Sequence, residues 1–165
     1  MIANLAAKTY GVYVVISLLL VLLNSCQAKE ESMDLNKLTT FAMRYATAWS
    51  NQYPTAFSLF YADNGSLAVN DGEPSVGRNE VEKKAREFMT AFPDMLVRLV
   101  EIRLENDHVV FHWHWTGTNT GPGGTGNSVD LHGYEEWTIN SDGLIQQSLG
   151  HYDDAEYQRQ LNASK

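Results

Sequence analysis

The spacing of apolar residues changes once along the chain, and this change restricts the folds available to it. From Met33 to Ser50, and again from about Arg78 to Phe92, apolar residues recur every three or four positions, as on one face of a helix. From Met95 onward they recur at every second position, as in half-buried strands. Helices followed by long antiparallel strands indicate an α+β domain in which one face of the sheet packs on the helices.

Turn signals set the remaining boundaries. A short helix is predicted from Pro54 to Tyr61, because proline suits the first helical position, and Asp63-Asn64-Gly65 is predicted to turn the chain. The glycine-rich segment Gly117 to Asn127 is predicted to be a flexible loop beside a pocket or a wide connection. The predicted strands are Ser66 to Asn70, Met95 to Glu105, His108 to Thr116, Val129 to Ile139 and Leu144 to Asp153. A sheet curved over the helices would leave a conical cavity for a small apolar molecule.

Composition supports a single globular domain and excludes one class of partner. The 165 residues, 44% of them hydrophobic, are enough for one core. The formal charge is -8 and no cluster of Lys and Arg is present, so nucleic acid is not an expected partner, because phosphate binding needs concentrated positive charge. Cys26 is the only cysteine, so no intrachain disulfide is available.

The N-terminal residues form a separate apolar segment. The run from Val12 to Leu23 is shorter than the roughly 20 residues of a membrane-spanning helix and suits the apolar region of a secretory signal. Leu23-Asn24-Ser25-Cys26 resembles the lipobox of bacterial lipoproteins, whose cysteine becomes lipidated. We therefore expect residues 1–25 to be a signal peptide, 26–33 a tether and 34–165 one α+β domain. The alternative is an ordinary signal peptide or an uncleaved anchor with an incidental cysteine.

This organisation predicts an exported protein held on the bacterial cell envelope through a lipid on Cys26, with no other membrane contact. The residue after the cysteine is Gln27 rather than Asp, which in Gram-negative lipoproteins favours the outer membrane.

The end of the last predicted strand carries the best candidate for a site. His151, Tyr152, Asp153 and Asp154 stand together there, and strand ends that open on a cavity can hold an acid or base within reach of a ligand. Asp153 is the candidate general acid/base. The alternative is that Asp153 and Asp154 cap the following helix, because Asp is a favoured N-cap residue.

His112-Trp113-His114-Trp115 is the most unusual stretch of the sequence. Alternation along a strand places the two histidines on one face of the sheet and the two tryptophans on the other. The histidines, with His132 and His151, could in principle bind a divalent metal, but no sequence feature brings four ligands together. A solvated or hydrogen-bonded histidine face is therefore predicted, with no metal. The tryptophans either line the cavity or seal the core.

The strand from Val129 to Ile139 offers a second polar face. Asp130, His132, Tyr134 and Glu136 share it, and this face lines a pocket or meets solvent according to which side the helices cover. If His132 and Tyr134 converge with Asp153, they form an acid/base pair with an orienting hydroxyl.

Several short motifs, in order and spacing, carry a resemblance that extends from Leu38 to Leu161. They are Tyr45 with Ala48-Trp49, Tyr61-Ala62-Asp63, Gly77, Phe92-Pro93-Asp94, Trp113, Gly117-Thr118-Asn119-Thr120-Gly121, Asp142-Gly143-Leu144-Ile145, Asp153 and Gln160-Leu161. In these features the chain resembles the SnoaL-like polyketide cyclases of the nuclear transport factor 2-like superfamily. It departs from their pattern at Asn119, usually histidine, and at Leu149, usually tryptophan.

The resemblance implies a cone-shaped, curved antiparallel sheet wrapped over about three N-terminal helices. It also implies that Asp153 acts as general acid and base, without metal or cofactor, in a cyclase, isomerase or hydrolase-type reaction on a small apolar molecule, and that the domain forms a homodimer. The expected pocket residues are Trp49, Trp113, Trp115, His132, Tyr134 and His151. The alternative is a non-catalytic ligand-binding or dimerisation module with the same fold.

Overall fold

The computed structural model describes residues 35–105 and 108–164, and the described residues from Leu38 onward belong to one compact unit. The predicted signal peptide, the tether and Cys26 lie outside the described residues. Within the described part, no helix is both long and apolar enough to span a membrane.

Four helices and six strands make up the described fold. The helices are α1 (35–50), α2 (Pro54–Ser58), α3 (Arg78–Ala91) and α4 (Asp154–Leu161). The strands are β1 (Tyr61–Val69), β2 (Ser75–Val76), β3 (Leu96–Glu105), β4 (His108–Thr118), β5 (Ser128–Ile139) and β6 (Ile145–Tyr152). The strands form one curved, unclosed sheet in the order β2-β1-β6-β5-β4-β3, antiparallel except for the parallel pair β1 and β6. The predicted α+β class, with helices followed by a curved sheet, is confirmed.

The predicted turn at Asp63-Asn64-Gly65 is wrong, because these residues lie inside β1. Tyr61 pairs with Ile145 and Ser66 pairs with Gln147, so the intervening residues of β1 bulge out of register. Gly65 permits this close approach, since a Cβ on it would lie 2.6 Å from the carbonyl oxygen of Ile145. Turn-forming residues thus mark an irregular strand here.

The glycine-rich segment is shorter and better anchored than the sequence predicts. Gly117 and Thr118 belong to β4, and Asn119 then organises the loop. Its side-chain amide donates to the carbonyl oxygen of Ala91 at 3.2 Å, and its Oδ1 accepts from the backbone N–H of Thr125 at 2.8 Å. Asn119, one of the two residues that depart from the pattern of the resembled family, therefore ties the loop to the end of α3.

Aromatic side chains fill the space between the helices and the inner face of the sheet. Tyr45 of α1 lies at their centre, with ring centroids 4.8 Å from Trp137, 4.9 Å from Phe57 and 5.5 Å from Phe111. Such edge-on and tilted contacts add to the free energy gained by burying the rings. The inner face of β4 carries Phe111, Trp113 and Trp115, while His112 and His114 lie on the outer face, so the alternation predicted for this strand is observed.

We expect Gly133→Ala to destabilise the domain by about 1–3 kcal/mol, because a methyl group there overpacks the core. A Cβ on Gly133 would lie 2.3 Å from the indole ring of Trp113 and 2.4 Å from the carbonyl oxygen of His151. The free energy of unfolding, measured by urea denaturation, checks this.

Gly150→Ala is the matched control on the same inner face. Its Cβ would meet Ala68 at 3.4 Å and Glu135 at 3.6 Å, which are ordinary contacts, so its effect should be below about 1 kcal/mol. Equal losses in the two variants would show that the tryptophan contact does not decide the effect.

Candidate active site

A cavity of about 70 Å³ lies between the inner face of the sheet and helices α1 and α3. Its wall is almost entirely apolar. The lining residues are Trp49, Leu67, Val69, Phe88, Met95, Val97, Trp113, Trp115, Glu135, Gly150 and Tyr152. Among the described residues that line it, Glu135 is the only one with a carboxyl group.

Glu135 points inward from β5 and is only 7% exposed. Three donors from three elements reach the same carboxylate oxygen, Oε2: the hydroxyl of Tyr45 on α1 at 2.7 Å, the hydroxyl of Ser148 on β6 at 2.7 Å and the indole N–H of Trp137 at 2.9 Å. No hydrogen bond from a described residue reaches Oε1. The carboxyl group is therefore fixed in place through one oxygen while the other stays available to a ligand.

Burial decides the acid strength of this group. Removal from water raises the pKa of Glu135 above its usual value, and the hydrogen bonds from Trp137, Ser148 and Tyr45 offset only part of that rise. A carboxyl group with a raised pKa is a stronger base once ionised, which is a property of general acid/base catalysts.

Two buried tyrosines extend the network away from the cavity. The hydroxyl groups of Tyr45 and Tyr61 are 2.8 Å apart. Burial first, and the neighbouring charge of Glu135 second, raise the pKa of both tyrosines well above the usual value. Both hydroxyls therefore remain protonated at neutral pH, and Tyr45 can donate to the carboxylate throughout.

Two tryptophans in the wall carry unused donors. The indole N–H groups of Trp113 and Trp115 are buried and have no hydrogen-bond partner among the described residues. A buried donor without a partner costs free energy, on the order of 1–3 kcal/mol. Both nitrogen atoms are covered by protein atoms, so the tryptophans present the apolar parts of their rings to the cavity and the wall suits a mainly apolar ligand.

The structure separates the predicted site residues into two groups. Trp49, Trp113 and Trp115 line the apolar cavity. His132, Tyr134, His151 and Asp153 line a different, open groove, together with Asn70, Asp71 and Asp154. In that groove the rings of Tyr134 and His151 stack with centroids 4.8 Å apart. His132, Tyr134 and Asp153 therefore border one groove, but it is not the apolar cavity.

The expectation that Asp153 faces the apolar cavity is corrected by the structure. Asp153 is exposed and is the N-cap of α4, where its Oδ1 accepts the backbone N–H of Glu156 at 3.0 Å. The physical reason is local, since an Asp that follows a strand and precedes a helix satisfies an otherwise unpaired N–H. Its acid/base role stays a prediction.

Sequence reasoning missed Glu135, although its signal was present. Along β5, Leu131, Gly133, Glu135 and Trp137 share one face, and this face is buried. A single carboxylate among apolar residues on a buried face is unusual, because charged groups are rarely buried without partners. The pattern identifies Glu135 as a candidate only when it is known that this face of β5 packs on the core.

Comparisons with known proteins place the chain in a family. The family model of the SnoaL-like polyketide cyclases matches residues 39–161. The chain belongs to the SnoaL-like polyketide cyclase family. The predicted resemblance to this family is thereby confirmed, and a comparison with curated proteins finds no match.

Solved structures share the fold of this SnoaL-like domain at low sequence identity. A nuclear transport factor 2-like protein of unknown function from Burkholderia pseudomallei is 18% identical with a TM-score of 0.65, covering 76% of this chain and 97% of its own. A phenazine biosynthesis-related protein from Pseudomonas aeruginosa is 15% identical with a TM-score of 0.64, and the match covers 81% of this chain and 92% of that protein. A third structure is a protein with a ketosteroid isomerase-like fold from Catenulispora acidiphila, in complex with trimethylamine. It is 16% identical with a TM-score of 0.64, and the match covers 73% of this chain and 90% of that protein.

We expect Glu135 to make the domain less stable as pH rises. In the folded state the pKa of Glu135 is raised above the ordinary value of 4.5, which applies to the unfolded chain. At pH values between the unfolded-state pKa and the higher folded-state pKa, the folded chain holds a proton that the unfolded chain has lost. The free energy of unfolding then falls by up to about 1.4 kcal/mol per pH unit, and this loss should be absent in Glu135→Gln. Urea denaturation of both proteins from pH 4.5 upward measures it.

Glu73→Gln is the matched control, because it makes the same substitution at an exposed position between β1 and β2, far from the buried network. It should keep the pH dependence of the wild type. A stability difference between wild type and Glu135→Gln that stays constant with pH would contradict a raised pKa.

Proposed function

We propose that the cavity binds a small, largely apolar molecule, and that Glu135 is its general acid/base in a cofactor-free cyclase, isomerase or hydrolase-type reaction. One observation carries this proposal. A buried carboxyl group with a raised pKa lies in the wall of an apolar cavity, held by three hydrogen bonds to a single oxygen.

The chemistry follows from the environment of the carboxylate. An ionised carboxylate in an apolar cavity is poorly solvated, so accepting a proton from an acidic C–H or O–H of the substrate relieves that cost. The three hydrogen bonds to Oε2 orient the group and leave Oε1 for the transfer. Glu135 then returns the proton, and no cofactor takes part.

Membership of the SnoaL-like family supports a reaction of this class. Polyketide cyclisation of the aldol type begins with removal of a proton next to a carbonyl group and ends with protonation of the product. Both steps need one acid/base group in an apolar site. The fold alone does not select among reactions, because the same scaffold hosts many activities. The identity of the substrate therefore has to come from experiment.

A non-catalytic function is the second candidate, favoured by a different observation. Strand β3 is an edge of the sheet and exposes Val100 and Leu104, which are 57% and 54% exposed. Apolar groups on an exposed edge strand favour association with another chain. In this reading the cavity only holds a ligand and the domain works as a homodimeric binding module.

The decisive comparison is between Glu135→Gln and Asp153→Asn. We expect Glu135→Gln to lower turnover about 10²–10⁴-fold, because it removes the proton-transfer group but keeps the shape of the side chain. Asp153→Asn should stay within a few-fold of wild type. Turnover of small ketone, β-dicarbonyl and epoxide substrates, followed by NMR, measures both. If Glu135 acts as the base, wild-type turnover should rise with pH through its raised pKa.

The opposite ranking, with Asp153→Asn inactive and Glu135→Gln active, would assign the reaction to Asp153. Ligand binding by wild type without any turnover would support the binding module. Tyr45→Phe adds a further test, because it removes one donor to Oε2 and should shift the pH profile of turnover while substrate binding is retained.

We also propose that the domain is exported and lipid-anchored at Cys26. The support is the lipobox-like Leu23-Asn24-Ser25-Cys26 after an apolar run. Labelled palmitate should be incorporated by the wild type and not by Cys26→Ser, because only the thiol can carry the lipid. Equal labelling of the two proteins would contradict the anchor.

A further inference from the structure

On the outer face of the sheet, away from the cavity, three potential metal ligands lie together. His114 of β4 and Asp130 and His132 of β5 each offer one ligand atom, and these atoms lie within 4.8 Å of one another. The rings of His114 and His132 are stacked, with centroids 4.5 Å apart and planes inclined by 11°. Nε2 of His114 is 2.7 Å from Oδ1 of Asp130.

Strand register brings these residues together. His114 pairs directly with His132, and Thr116 pairs with Asp130, so the histidines face each other while Asp130 lies two residues along the same face. The sequence alone places the histidines on one face but does not give this register. Asp130 is the ligand that sequence reasoning lacked.

At Asp130, β5 pairs with β4 on one side, and on its other side the backbone is held by a side chain of α4. Strand β6 pairs with β5 only from Gly133 onward. Gln160 of α4 takes the place of β6, since its Oε1 accepts the N–H of Asp130 at 2.6 Å and its Nε2 donates to the carbonyl oxygen of Asp130 at 2.9 Å. These two hydrogen bonds fix the main chain from which the carboxylate extends.

We propose that His114, Asp130 and His132 bind a divalent first-row transition metal, with Zn²⁺ as the reference ion. Two imidazole nitrogens and one carboxylate oxygen are a ligand set suited to Zn²⁺ and to the related ions Co²⁺, Ni²⁺ and Cu²⁺. Water completes the coordination shell. Tetrahedral coordination at about 2.0–2.1 Å places ligand atoms about 3.3 Å apart. Side-chain rotation can reach this separation, because Asp130 and His132 are exposed.

The metal replaces an existing contact and does not join the chemistry of the cavity. Bonds from His114 and Asp130 to the ion take the place of their hydrogen bond. The three side chains lie on the face of the sheet opposite Glu135, as the alternation along β5 requires. Metal binding and the acid/base reaction can therefore succeed or fail separately.

Calorimetric titration of the full chain with ZnCl₂ tests the proposal. The protein used for the titration carries no histidine tag and has the substitution Cys26→Ser, because a tag or a free thiol would also bind the ion. We expect one Zn²⁺ per chain. His132→Ala and His114→Ala should each weaken binding at least tenfold, since each removes one of three ligands. Circular dichroism shows whether the variants are folded.

His108→Ala is the matched control, because His108 lies on β4 but outside the three-residue site and should leave Zn²⁺ binding unchanged. Excess Mg²⁺ should not displace Zn²⁺, because Mg²⁺ prefers oxygen ligands. Co²⁺ should give visible d–d bands that disappear in His132→Ala. The proposal is overturned if wild type binds no Zn²⁺, if His132→Ala binds it equally well, or if Mg²⁺ competes as expected for a diffuse acidic surface.

Discussion

The burial of the Glu135 carboxyl group is the constraint on which the interior of this domain depends. Moving an ionised carboxylate out of water costs several kcal/mol, which the surrounding structure has to offset. The donors that do so are Tyr45, Ser148 and Trp137, from α1, β6 and β5. The site is therefore complete only when the first helix and the last strand have both packed against β5, so its geometry and the tertiary fold form together.

The sheet keeps two kinds of chemistry apart. On β5, Leu131, Glu135 and Trp137 face the core, while Asp130 and His132 face outward. A strand separates the surroundings of neighbouring residues by its geometry alone, since successive side chains point to opposite faces. The inner face supplies an apolar cavity with one buried acid, and the outer face supplies imidazole and carboxylate groups in contact with water. Substitutions on one face can therefore alter its chemistry with little effect on the other.

The sequence predicts most of the elements, because each depends on a local pattern of apolar residues. The face of α1 that contains Tyr45 and the alternation through Trp113 and Trp115 could be predicted in this way. The parallel pairing of β1 with β6 and the bulge of β1 before Ser66 could not. Both depend on strands distant in sequence, and local pattern carries no information on which strands become neighbours. For the same reason the burial of Glu135 could not be predicted, because it depends on which face of β5 the helices cover.

Asp153 and Glu135 show why residue type alone is weak evidence for an acid/base group. An Asp at the junction of a strand and a helix satisfies both a catalytic motif and an N-cap, and the two roles use the same residue type at the same place. What separates them is solvation. Oδ1 of Asp153 accepts the N–H of Glu156, and the side chain lies in a solvent-exposed position. Glu135 is buried, its pKa is raised, and protonation removes the charge that its surroundings oppose.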